Sequence, residues 1–406
     1  ITATDTATNA GTGDSSTYII DTTAPVLNTG DKIGTKTYVA GEVSWQNQST
    51  LAISGDWTES GSGIAAMYYQ LNGTVALTKE NYASAYTGIT YPVDNGNSES
   101  YTANISGFTG GANSLFFVAV DNVGNVSEVA SRTVYVDTTA PELTALNNTT
   151  TTISTKVADK AISFTLTDAE AESGIDESSI SVAIGKNVIT AANSTYGTLV
   201  ISDKTETTNG GIKTCKVTVT PSNTALLAES NSNALVSGSS YNVNVTIKDA
   251  ASNETTGTVH TFTVDTTAPT VTITSATGSD RYVKDKRTLS VSINDTGTVA
   301  SAKWALFKYD TTLTTYENET ALLTGDFTFT EDTALSLSKE IDISGIYSDI
   351  VVKDADTFVV CVKASDKAEN ESEFTGTAIS SVYTVDTSAP VIATSLFNNK
   401  ELSSGF

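Results

Sequence analysis

Over much of the chain, apolar and polar residues alternate one by one. Val243, Val245 and Ile247 alternate with Asn242, Asn244, Thr246 and Lys248. Leu115, Phe117 and Ala119 hold the matching places nearer the start, and Val360, Val362 and Ala364 nearer the end. Residues 161–167 and 288–293 carry the same signal. A period of two is the signature of a strand with one buried face. Thr, Val, Ile and Tyr suit a pleated surface, and Gly, Asn, Asp and Ser gather where turns would fall. No segment shows a long apolar stripe of period 3.6, so the pattern predicts short antiparallel strands and almost no helix.

The strands come in a repeating order. A string reading Asp-Thr-Thr-Ala-Pro, with Ser for one Thr in the last copy, begins at Asp21, Asp137, Asp265 and Asp386. A second string precedes it: Asp121-Asn-Val-Gly-Asn125, Asp249-Ala-Ala-Ser-Asn253 and Asp366-Lys-Ala-Glu-Asn370, with Asp5-Thr-Ala-Thr-Asn9 ahead of the first. A third lies about thirty residues after each Pro: Asp56-Trp-Thr-Glu-Ser-Gly-Ser-Gly-Ile64, Asp168-Ala-Glu-Ala-Glu-Ser-Gly-Ile175 and the degenerate Asp295-Thr-Gly-Thr-Val299. Self-similarity at this period predicts one domain per interval: repeats at 21–136, 137–264 and 265–385. Residues 1–20 read as the last two strands of a preceding repeat and 386–406 as the first strand of a following one, so the chain is expected to be a window on a longer array.

Each string has a local physical meaning. Pro fixes φ and lacks an N–H, which suits the opening of an edge strand, and it holds the residue before it extended. The link of about four residues is therefore short and stiff. In Asp-x-x-Gly-Asn the Asp can bond the backbone of its own turn. Ser252 and Glu369 stand where the first copy has Gly124, from which the expectation is that no glycine conformation is required there.

Together these strings resemble the tandem bacterial Ig-like (fibronectin type III-like) repeats of large surface proteins and adhesins. The closing strand that ends Val-Asp-Thr-Thr-Ala-Pro, the Asp-x-x-Gly-Asn turn, the early Ser-Gly-Ile loop and the following Tyr68-Tyr-Gln-Leu-Asn-Gly73 carry the resemblance. It implies an all-β fold: three tandem Ig-like Greek-key β-sandwiches in an extended rod, with partial domains at both ends. At about 3.3 Å rise per residue the three repeats would span roughly 110–130 Å.

Composition narrows the function. The 406 residues carry 46 acids against 22 bases, a formal charge of −24, with one His. Without a cluster of Lys or Arg the chain is not expected to bind nucleic acid. No stretch of about 18 apolar residues predicts membrane insertion in this window, and no signal peptide is recognisable at its start. A single His argues against His-based catalysis and multi-His metal sites, and motifs for hydrolases, P-loops and zincins are missing. No catalytic residue is expected.

The acids have two readings. The Asp-x-x-Gly-Asn string is a hairpin turn, or part of a calcium site. Ca²⁺ takes six to eight oxygen ligands, and in an Ig-like topology the link, the early loop and the late turn meet at one end of each sandwich, facing the domain before. The candidate ligands are Asp21, Asp56, Glu59, Asp121 and Asn125 in the first repeat. In the second they are Asp137, Asp168, Glu170, Asp249 and Asn253, with Glu172 in the same stretch. In the third they are Asp265, Asp295, Asp366 and Asn370. Carboxylates gathered without a cation would repel one another. Cys215, in phase with Val217 and Val219, is expected to be buried. Cys361, opposite Val360 and Val362, is expected to be exposed. Trp57 is placed in the early loop, where with Tyr68, Tyr69 and Trp304 it could stack on sugar rings.

The resulting expectation is a non-catalytic, extracellular or cell-surface structural or adhesive segment. Its partners would be other copies of the chain, or glycans and proteins of a host or neighbouring cell surface. The alternative is a set of carbohydrate-binding accessory modules of a secreted enzyme.

Overall fold

The alternating segments form strands that pair within short reaches of the chain. The computed structural model describes residues 2–4, 6–13, 17–75, 77–85, 88–90, 98–146, 148–149, 152–169, 172–277, 281–344 and 354–391. Near the start, Thr2–Thr4 pairs antiparallel with Ala10–Thr12. In the first repeat, Thr50–Thr58 pairs with Ser98–Ser106 along its whole length. The facing sheet runs Trp45–Gln46, Ala130–Val136, Gly111–Asp121, Ile64–Leu71 and Gly88–Thr90. Between the two lies an apolar core that includes Ile53, Trp57, Met67, Ile105, Leu115 and Phe117. The strands of the second repeat join in one curled sheet around Phe164, Val182, Val217, Val245 and Phe262. Those of the third surround Val291, Trp304, Leu306, Val360 and Tyr383. The fold is all-β, with only two short α-helices, Tyr82–Ala85 and Asn223–Leu227, among the described residues.

The Ser-Gly-Ile string marks where the chain passes from one sheet to the other. Gly63 and Gly174 have φ of +82° and +81°. A Cβ on Gly174 would lie 2.7 Å from the Ile212 nitrogen, so both the turn and the close approach require glycine there. The third repeat has Thr298 at this place, and the crossing is made by one continuous strand, Lys286–Lys308. Its first half pairs with Thr270–Ile273 and Asp332–Asp342, and its second with Leu323–Asp326 and Thr357–Asp366.

The closing strand of each repeat also holds a short parallel partner. Trp45–Gln46 lies beside Tyr135–Val136, Thr152–Ile153 beside Thr263–Val264, and Tyr282–Val283 beside Thr384–Val385. The next residue of the closing strand is the link Asp, which extends the ladder. Asp137 N–H donates to Gln46 O (2.9 Å), Asp265 N–H to Ile153 O (3.1 Å) and Asp386 N–H to Val283 O (3.1 Å).

Three expectations change. Cys361 is 0% exposed, because residues after Lys308 fold back over the outer face of its sheet. Leu313, Tyr316 and Ala321 pack there on Phe307, Val359 and Cys361. Burial pushes the thiol up to about 12. Trp57 is on the strand Thr50–Thr58 rather than in a loop, and it faces the core, where its indole N–H donates to Met67 Sδ (3.3 Å). Finally, the late turn does use the glycine conformation. Thr8, Gly124, Ser252 and Glu369 all have positive φ, at 68°, 95°, 75° and 62°.

Candidate metal centres

Each carboxylate cluster is built from three places in a repeat. The link supplies Asp21, Asp137 or Asp265; the sheet crossing supplies Glu59, Asp168 or Asp295; the late turn supplies Asp121, Asp249 or Asp366. In each set of three, one carboxylate oxygen per residue lies within 4.8 Å of the others. The crossing residue stands at a different distance from the following apolar residue in each repeat (Ile64, Ile175, Val299), so loops of different length bring an acid to the same place.

The link explains its own sequence. One oxygen of the Asp accepts the N–H and hydroxyl of the residue two places on: Thr23 (3.0 and 2.6 Å), Thr139 (3.0 and 3.2 Å) and Thr267 (3.3 and 3.1 Å). This is an Asx turn, the reason for Thr in that position. The second oxygen reaches the sheet crossing, where Ser62 N–H donates to Asp21 (2.6 Å) and Ser173 N–H and Oγ–H donate to Asp137 (2.8 and 2.7 Å).

The late turn is the most regular part. Asn125, Asn253 and Asn370 donate their backbone N–H to Oδ1 of the turn Asp, at 2.7, 2.8 and 2.9 Å. Their side-chain amides donate to Oδ2 of the same Asp at 2.7, 2.7 and 2.8 Å. The same Nδ2 groups also donate to the backbone carbonyl of the link Asp, at 3.2, 2.9 and 3.2 Å. Both partners are acceptors, so the amide nitrogen faces them. These asparagines tie the turn to the link and aim the turn Asp into the cluster.

Electrostatics sets the clusters apart from ordinary surface acids. Among the described residues no ion pair reaches any of the nine carboxylates. Burial, and then the charge of Asp137, push the Asp168 carboxyl up to about 7. Burial likewise raises Asp249, Asp295 and Asp366, with the link Asp adding to each. Asp21 is different: bonds from Thr23 and Ser62 hold it below the usual carboxylate range. Asp168 is 3% exposed, and its Oδ2 has no hydrogen-bond partner. A buried carboxylate oxygen without a partner, set among like charges, is a position that a cation could occupy. Oxygen-only donors on rigid turns suit a hard cation such as Ca²⁺.

Of the residues singled out from sequence, nine meet in the three clusters, and Asn125, Asn253 and Asn370 brace them. Asp56 stands apart: it is exposed on Thr50–Thr58 and accepts a bond from Ser100 Oγ (2.6 Å). Glu170 lies outside the described residues. Sequence reasoning misses Ser62, Ser173 and the link Thr residues. The signal for the link residues is the fixed offset of Thr or Ser two places after each link Asp, four times in the chain, and that for Ser62 and Ser173 is their place just before Gly63 and Gly174.

The all-β fold and the recurring motifs resemble those of Ig-like β-sandwich modules. Residues 226–309 match the family model described as bacterial Ig-like domain (group 3). The resemblance to bacterial Ig-like repeats is thereby shown, on a segment that spans the end of the second repeat, the link and the start of the third. A search of the curated proteins finds no match. Among solved structures, the fibronectin(III)-like modules of Clostridium thermocellum CbhA are similar at 11% identity, over 61% of this chain and 94% of that one, with a TM-score of 0.23. The D00-D0 domain of intimin is similar at 15% identity, over 58% and 98%, with a TM-score of 0.24. A Bacteroides ovatus protein of a mixed-linkage glucan utilization locus, solved with a mixed-linkage heptasaccharide, is similar at 10% identity, over 88% and 71%, with a TM-score of 0.17. At these scores the structural likenesses carry no argument about function. Ig-like folds are typically non-catalytic and bacterial Ig-like domains are usually extracellular, so the chain fits a surface or accessory module. No helix among the described residues is long and apolar enough to cross a membrane.

Proposed function

We propose that this chain is a non-catalytic stalk or filament segment of an extracellular bacterial surface protein, an array of three sandwiches stiffened by Ca²⁺ at one end of each. The observation that carries the reading is the double attachment of the link. The backbone N–H of Asp137 or Asp265 belongs to the ladder of the repeat before, while its carboxylate belongs to the acid cluster of the repeat after. A cation held there would fasten two neighbours through one residue. Asp121, Asp249 and Asp366, aimed by their asparagines, would supply a second carboxylate, and Glu59, Asp168 and Asp295 the third. Bound Ca²⁺ would neutralise charges that otherwise repel. On this reading the partners are further copies of the chain, or glycans and proteins of an adjoining cell surface.

Small-angle scattering and calorimetry in calcium and in chelator test the proposal. Saturable Ca²⁺ binding, a higher unfolding temperature and an elongated particle are expected. A compact radius of gyration would refute the rod, and no response to millimolar Ca²⁺ would refute the cation. Of the aromatic residues that the accessory-module alternative would use, Trp57 and Trp304 face cores, whereas Tyr68 and Tyr69 are half-buried.

A further inference from the structure

The links at Asp137 and Asp265 share a backbone frame but differ in how they are braced. At both, the Asp gives its N–H to the repeat before, and its carbonyl accepts the late-turn asparagine of the repeat after. At Asp265 two further bonds are present. Thr266 N–H donates to Ser237 Oγ (2.9 Å), in the loop that leads into Ser240–Asp249. Ser154, just past Thr152–Ile153 of the second repeat, donates its hydroxyl to Asn370 Oδ1 (3.4 Å) in the third. This second bond bypasses the link altogether. Ser154 is 0% exposed and Asn370 4%, so the two side chains meet out of water. Ser154 Oγ in turn accepts the N–H of Lys156 (3.1 Å). The amide of Asn370 also holds Asp366 and the Asp265 carbonyl, so the second repeat braces the turn that aims an acid into the third cluster.

The link at Asp137 has other side chains at these places. By ladder register, Asn47 stands where Ser154 does, Thr109 where Ser237 does and Thr138 where Thr266 does. Asn47 is exposed. Thr109 turns its hydroxyl to Asn113 Oδ1 (3.3 Å) within its own repeat.

We infer that the second and third repeats are docked into one rigid unit through Ser154, Asn370, Ser237 and Thr266, and that bending of the array is concentrated at the Asp137 link. Domains joined by small contacts move relative to one another unless more than the linker holds them. A hydrogen bond between two buried side chains does so, because parting them leaves Asn370 Oδ1 without its donor. Ser154 is thus a positioning residue for the third cluster, supplied by the repeat before. No cation is needed for the docking, since every group named belongs to the protein.

Pulsed electron spin resonance on pairs of nitroxide labels tests this, in chelator throughout, so the result stands apart from the calcium reading. Both native cysteines are buried, and the labels go on introduced ones at exposed strand positions. Ser114→Cys with Thr198→Cys spans the Asp137 link, and Thr198→Cys with Ser290→Cys spans the Asp265 link. The distance distribution across the Asp265 link is expected to be about half as wide as that across the Asp137 link. Ser154→Ala combined with Ser237→Ala should widen the Asp265 distribution to match the other and leave the Asp137 distribution unchanged. Equal widths across the two links overturn the inference, and so does an Asp265 distribution that stays narrow in the paired variant. Circular dichroism checks that the paired variant is folded. Should it not fold, Ser237→Ala alone, outside the buried contact, decides: partial widening supports the docking and no widening overturns it.

Discussion

In the third repeat both faces of Thr357–Asp366 are covered. In the second repeat the matching strand, Ser240–Asp249, is covered on one. The difference arises from the segment that comes next after the sheet-crossing strand. After Lys308 the third repeat runs on through Leu313, Tyr316 and Ala321, which lie on Phe307, Val359 and Cys361. The second repeat turns at Gly185 into Asn187–Thr190 and then Gly197–Glu206, the latter joining Ile212–Pro221, and leaves the outer positions of Ser240–Asp249 polar. There Asn244 accepts a bond from Thr258 (2.7 Å), Asn242 one from Thr261 (3.0 Å), and the Thr246 and Thr256 hydroxyls lie 3.2 Å apart. The acid clusters differ in the opposite sense. The second has three buried aspartates, whereas Asp295 of the third is only half-buried. One repeat adds an apolar layer and the other buries charge.

Substitutions can break this contrast. The largest effect is expected from Phe307→Ala, which opens the extra layer where Phe307 meets Tyr316 and Phe374 at 5.2 and 5.6 Å between ring centres. It should cost about 3–5 kcal/mol, whereas Thr256→Ala on the bare face of the second repeat should stay within about 0.5 kcal/mol. Hydrogen exchange on the two strands reads both locally, and a small loss for Phe307→Ala would mean that the layer is loosely attached.

The next effect belongs to the second cluster. The Asp168 carboxyl is raised to about 7 from an ordinary 3.8, so its contribution to stability is full at low pH and is lost as pH rises through about 7. Metal-free protein should therefore lose stability between roughly pH 4 and 7, and Asp168→Asn should remove that slope and stabilise the metal-free chain by about 1–3 kcal/mol. In calcium the same substitution should weaken binding. A metal-free wild type whose melting temperature does not fall over that range would show that Asp168 is better solvated than its burial implies.

The smallest effect concerns the late turn, which both repeats build alike. Ser252 and Glu369 adopt a left-handed backbone that costs a side chain energy. Ser252→Gly and Glu369→Gly should each stabilise by about 1 kcal/mol in thermal melts. Unchanged melts would mean that the asparagine bonds already offset the strain.

Much of this is legible in sequence, for reasons that can be named. Alternation such as Asn242 to Lys248 marks the strands, and the three recurring strings mark the clusters, because a repeated acid at a repeated turn returns to the same place. The second apolar layer stays hidden when Phe358 to Val362 is read by its alternate residues alone. Taken whole, it is an unbroken apolar run, as is Phe116 to Val120, and such runs mark strands buried on both sides. On the run in the first repeat, Val118 pairs with Tyr68, which Tyr82 meets edge-on at 5.0 Å. The left-handed turn stays hidden because Ser and Glu, by their own preferences, argue against it. Bonds from Asn to Asp can hold a disfavoured backbone that the residue itself would not choose. The orphaned oxygen of Asp168 has no signature in sequence at all, since it depends on which loop folds against which.

The short parallel ladders have a mechanical meaning. Thr152–Ile153 lies near the beginning of the second repeat and Thr263–Val264 at its close, and the two run side by side where the chain leaves for the next repeat. Because the two run in the same direction, tension applied along the chain slides them past each other. Their hydrogen bonds, and the one from Asp265 to Ile153, must then fail together rather than open one after another like a zip. The same arrangement recurs at Trp45–Gln46 and Tyr282–Val283, so each repeat meets a pull with a small clamp loaded in shear.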